Sequence, residues 1–68
     1  MKTVLDIKNE AHKVLFKFQQ GSINKEQLYI DGVSLALQFN EALKHHDDSN
    51  DVESTACLLY AIKMMSTS

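Results

Sequence analysis

Apolar residues in the first third of the chain recur every three or four positions, the spacing of one face of an α-helix. The stripe they form consists of Val4, Ile7, Ala11, Val14, Leu15 and Phe18. This spacing predicts a helix over residues 3–20, and Gly21 is a suitable stop because glycine adopts the left-handed conformation that often ends helices. Leu5 and Phe16 lie on a separate flank of the helix, beside His12.

A second helix is predicted over residues 24–46, and its start is marked by several signals at once. Asn24 suits the N-cap, Gln27 can close a capping box, and Ile23 and Leu28 occupy the positions of a hydrophobic staple. At 1.5 Å per residue, this helix would be roughly 33 Å long.

The second helix has two apolar stripes on nearly opposite sides. The first consists of Leu28, Leu35, Phe39, Ala42 and Leu43. Gly32 and Ala36 make this stripe shallow enough for another backbone to approach closely. The second stripe consists of Ile30, Val33 and Leu37. A helix with two apolar faces needs two neighbours, so we expect this helix to be the central one.

A third helix is predicted over residues 51–65, after the polar segment 47–51. Asn50 and Glu53 indicate a capping box at its start. Apolar residues follow at nearly every angle around this helix, and beyond the first turn Lys63 is its only charge. An apolar helix of this kind is typical of the middle of a larger assembly, and its apolar run is too short to cross a bilayer.

These patterns predict one all-α domain over residues 1–68, a three-helix unit that assembles as a homodimeric bundle. The chain has 68 residues and a single cysteine, Cys57, so no internal disulfide can supplement its small core. We therefore expect a partner to cover the apolar surplus. The expected contact residues are Leu58, Ile62 and Met65, then Tyr60 and Met64, and the flank residues Leu5 and Phe16.

Charge and composition argue against several classes of partner. The formal net charge is −2, and all seven cationic residues are lysines, so the basic excess and the arginines typical of nucleic-acid binding are missing. The first residues meet charges too early for a signal peptide. We expect a cytoplasmic protein that contacts neither membranes nor nucleic acid, since a lone cysteine suits a reducing compartment.

The segment His45-His46-Asp47-Asp48 contains residue types that bind metals. Adjacent histidines diverge by about 100° on a helix, however, so they do not form the i, i+4 pair of zinc-binding helices. The segment is therefore interpreted as a solvated helix end, with no metal site. Cys57 has no base nearby in sequence and is expected to be a buried, unreactive side chain.

The sequence favours a non-enzymatic protein–protein interaction module, such as a small helical adaptor, inhibitor or chaperone-like protein, without a cofactor. A bundle this small has little volume for a substrate pocket, which argues against catalysis. The alternative is a small transcription-related regulator that contacts nucleic acid or a nucleic-acid-binding protein.

Overall fold

The computed structural model describes residues 2–45 and 49–67, and of residues 49 and 50 only the backbone. Three helices make up the fold: α1 (Val4–Gln19), α2 (Lys25–Leu43) and α3 (Ser49–Thr67). The described residues contain no strand, which confirms the predicted all-α three-helix unit. Each helix packs against both others to a similar extent, so α2 is not the central helix that its two stripes predicted.

The ends of α1 are fixed by local hydrogen bonds. Thr3 and Asp6 form a reciprocal capping box, in which each side chain accepts the other residue's backbone N–H, at 3.2 and 3.1 Å. At the other end Gly21 has φ +80°, which confirms the predicted left-handed stop. Ser22 N–H then donates to the Lys17 carbonyl at 2.9 Å, which completes a Schellman motif.

The predicted start of α2 is confirmed, whereas its predicted end is too late. Asn24 Oδ1 accepts the Gln27 N–H at 2.8 Å. In the predicted capping box the Gln27 side chain would accept the Asn24 N–H, but it instead donates to Asp31 Oδ1 at 3.0 Å, one turn further along α2. The helix ends at Leu43, and His45 already lies in the turn that follows.

The core is built from the predicted stripes of α1 and α2 together with one face of α3. Its buried apolar residues are Val4, Ile7, Ala11, Leu28, Leu35, Phe39, Ala42 and Ile62. Leu43, which was assigned to the α2 stripe, is 38% exposed because the helix ends there. The shallow place on α2 is used as predicted: a Cβ on Gly32 would lie 2.7 Å from Ile62 Cγ2.

Helix α3 starts and ends two residues outside its predicted bounds. It already includes Ser49, so Asn50 lies inside the helix and is not its N-cap. Its inward side carries Val52, Thr55, Leu58, Leu59, Ile62 and Met65. One side of this apolar helix is therefore covered within the chain. Over residues 2–45 and 49–67, no helix has an apolar stretch long enough to cross a membrane.

Candidate protein-binding face

The second apolar stripe of α2 is exposed to solvent. Ile30, Val33 and Leu37 are all exposed, and Leu37 retains 64% of its accessible surface. The pattern correctly indicated that α2 has two apolar sides, but the chain covers only one of them. Three mutually packed helices bury one side of each helix and leave the opposite side outward. Within residues 2–45 and 49–67, this second stripe of α2 is therefore not covered by another element.

The exposed stripe borders an open groove of about 480 Å³ between α2 and α3. Buried Phe39 and Ile62 contribute to its lining, together with the small residues Gly32, Ala36 and Ala56. Tyr29, Val33, Leu37 and Tyr60 also line the groove and are exposed. The α2–α3 face is defined here as this groove together with Ile30 and Met64, which continue the exposed sides of the two helices.

Polar groups around the groove are few. They come from Asn40, Lys63, Ser66 and the hydroxyls of the two tyrosines, and Lys63 is the one charged side chain among the residues lining the groove. The small residues of the groove would let the backbone of a bound helix approach closely, and large half-exposed side chains surround them. This composition suits an apolar helix better than a polar ligand.

The predicted contact residues of α3 divide into two groups. Tyr60 and Met64 are 64% and 53% exposed and point away from the core. Leu58 and Met65 are half-buried and pack against the core. Ile62 is completely buried beneath the groove, so it does not offer an exposed side chain as Tyr60 and Met64 do. It lies seven residues, about two turns, after buried Thr55 and therefore on the same inward side.

The flank residues Leu5 and Phe16 are exposed on α1, about half of each side chain being accessible. Beside this helix a shallow groove between α1 and α3 is lined by Lys8, His12, Glu53, Ser54, Cys57 and Leu58. Lys8 Nζ approaches Asp51 Oδ1 at 3.8 Å and links the two helices. The flank thus adds two apolar side chains to a largely polar surface.

Cys57 is exposed, which corrects its predicted burial. Its position two residues after Thr55 rotates it about 200° from the buried side of α3. The apolar run around Cys57 suggested a buried environment, because sequence alone does not show which side of an apolar helix is covered.

His45 is exposed in the turn after α2, whereas His46, Asp47 and Asp48 lie outside the described residues. Within the described part of the chain, no three His, Cys, Asp or Glu side chains are grouped so that they could hold a metal ion. No protein-family model matches this sequence, and neither the curated proteins nor the solved structures compared with it include a significantly similar one.

Proposed function

We propose that this chain is a non-enzymatic protein–protein interaction module that works through its α2–α3 face. The observation that carries the proposal is the exposure of Tyr29, Val33, Leu37 and Tyr60 around one open apolar groove. Single exposed apolar side chains are common on protein surfaces, but a contiguous group around a concave site is typical of a binding surface.

The size of the face supports the same interpretation. A large apolar side chain that is half exposed offers roughly 100 Å² of accessible surface. The face has six such side chains, which together offer about 500–600 Å²: Tyr29, Ile30, Val33, Leu37, Tyr60 and Met64. That area lies at the upper end of the roughly 300–600 Å² of the largest apolar patch on a typical soluble monomer, and such patches are often functional. At about 25 cal/mol/Å², its complete burial would contribute about 13 kcal/mol before the costs of association.

The proposal is tested by photo-crosslinking in the cells that produce the protein. A photoreactive amino acid replaces Leu37 in one variant, and Gln19, an exposed polar residue near the end of α1, in the matched control. We expect discrete protein adducts from position 37 that are absent, or much weaker, from position 19. Mass spectrometry of the adducts then identifies the partner.

Equal yields of diffuse adducts at both positions would contradict the proposal, because a specific face must capture its partner more often than a generic surface does. Circular dichroism of both purified variants verifies that each retains the helical fold. Position 37 tolerates a large aromatic replacement because the side chain projects into solvent.

A further inference from the structure

We infer that the partner covering the α2–α3 face is a second copy of this chain, bound with its α2 antiparallel to the first. This inference rests on the proposed function and names the partner for the same face. It is supported by the residue spacing on α2, the available area and the positions of charges at the two ends of α2.

The outward side of α2 has the residue spacing of a helix–helix seam. Tyr29, Val33, Ala36 and Asn40 all line the groove and are separated by four, three and four residues. Steps of this kind keep successive side chains along one narrow line and are the repeat by which helices pair lengthwise. Ala36 makes the middle of the seam shallow. A second α2 can therefore approach closest near Val33 and Ala36.

The exposed apolar area of the face is close to the minimum that a specific dimer interface needs. If each copy buried all of the 500–600 Å² offered by the apolar side chains of the face, the two together would remove at most about 1,000–1,200 Å² from water. A specific interface needs about 1,000 Å² in total, and neighbouring polar atoms add to the apolar part. A symmetric contact uses the same face on both copies, so both apolar surfaces are covered at once.

Among the charges at the two ends of α2, Glu26 and Lys44 favour the antiparallel orientation. Glu26 precedes Tyr29 on the seam by three residues, and Lys44 follows Asn40 by four. Both side chains are exposed, and Lys44 also lies 3.5 Å from Glu41 of the same chain. With the second α2 antiparallel, Glu26 of each copy lies beside Asn40 and Lys44 of the other. A parallel arrangement would instead place the two Glu26 carboxylates together, which is repulsive.

Charge exchange tests the contact in the full-length protein by light scattering over a range of concentrations. Glu26→Lys and Lys44→Glu should each raise the dissociation constant of the dimer about tenfold, because each creates two repulsive pairs. The double variant should recover most of the lost affinity. Glu53→Lys is the matched control: it makes the same charge change near the start of α3, on the other groove, and should leave the constant within about twofold.

Cysteine cross-linking tests the orientation in a Cys57→Ser background. Val33→Cys lies near the two-fold axis, so mild oxidation should produce a covalent dimer. Glu26→Cys should not cross-link to itself, because fourteen residues separate positions 26 and 40 and the two thiols would be about 20 Å apart. Circular dichroism verifies that both variants remain helical.

Several outcomes would overturn the inference. These are self-cross-linking at position 26 as readily as at position 33, no recovery in the double charge variant, and a chain that remains monomeric at every concentration. If a monomeric chain still gives discrete adducts with another protein from position 37, the proposed function stands and only the second copy is wrong. If position 37 gives no specific adduct, the proposed function itself fails.

Discussion

Replacing Gly32 in α2 by alanine should have two effects of opposite sign on the free energy of unfolding. Glycine in a helix interior is less favourable than alanine by about 1 kcal/mol, so the substitution would ordinarily stabilise the helix. Here the added Cβ would lie 2.7 Å from Ile62 Cγ2, well inside contact distance. Ile62 is completely buried and β-branched, so its side chain has little freedom to turn away.

The packing effect should prevail. Forcing an additional methyl group into a filled core typically costs 1–3 kcal/mol, so we expect Gly32→Ala to lower the free energy of unfolding by about 1 kcal/mol after the gain in helix propensity. For a chain of this length the total stability is about 3–10 kcal/mol, so the loss is readily measurable.

The backgrounds Ile62→Leu and Ile62→Val separate the two effects. Leucine has no second γ carbon, so Gly32→Ala should stabilise the protein by about 1 kcal/mol in that background. Valine retains two γ carbons, so the substitution should still destabilise the protein there. Urea unfolding followed by circular dichroism gives each free energy. The protein concentration is held constant, because self-association would add to the apparent stability.

A stabilising effect of Gly32→Ala in the unmodified chain would refute this reasoning, because the close approach of α3 would then impose no constraint on α2. The same change in unfolding free energy in the leucine and valine backgrounds would also refute it, since the effect would not depend on Ile62 Cγ2.

Three further predictions concern single positions. Thr55 is completely buried and its hydroxyl oxygen has no hydrogen-bond partner among the described residues, so Thr55→Val should raise the free energy of unfolding by about 1 kcal/mol; a loss would show that the hydroxyl is bonded. Gly21→Ala should lower the free energy of unfolding in urea by about 1–2 kcal/mol, because alanine is strained at φ +80°. No neighbour lies within 4 Å of the new Cβ, so a clash would not contribute; an unchanged free energy would contradict the backbone strain. The exposed Cys57 should react with a thiol reagent in the folded protein within about twofold of its rate in urea, and strong protection would place it in an interface.

The sequence predicted the helices and the core of α1 and α2 well, because both depend on local signals. Periodicity identified the α1 stripe, and Asn24 and Gly21 marked two helix ends through their own hydrogen bonding and conformation. The capping box of Thr3 and Asp6 carries the same kind of signal, Thr-x-x-Asp, and could have been recognised. The end of α2 was placed too late, because residues 44–46 include no glycine or proline to mark a stop.

The orientation of α3 could not be predicted in the same way. Apolar residues surround this helix, so its periodicity does not distinguish the side of Ile62 from the side of Tyr60. Only packing against Gly32 and the other two helices determines which side faces inward. The expected contact residues therefore mixed the exposed Tyr60 and Met64 with the buried Ile62, and exposed Tyr29 was missed. Its four-residue spacing from Val33 and from there to Leu37 was the signal that could have identified it.

If a second copy covers the α2–α3 face, which the described residues leave exposed, the chain must dimerise in solution. Sedimentation equilibrium of the unmodified protein over a hundredfold range of concentration tests this dimerisation. We expect a weight-average mass that rises from 7.7 kDa towards twice that value, and a Leu37→Lys variant that stays at the lower mass while remaining helical. A well-folded unmodified chain that remains at 7.7 kDa throughout the range would contradict it.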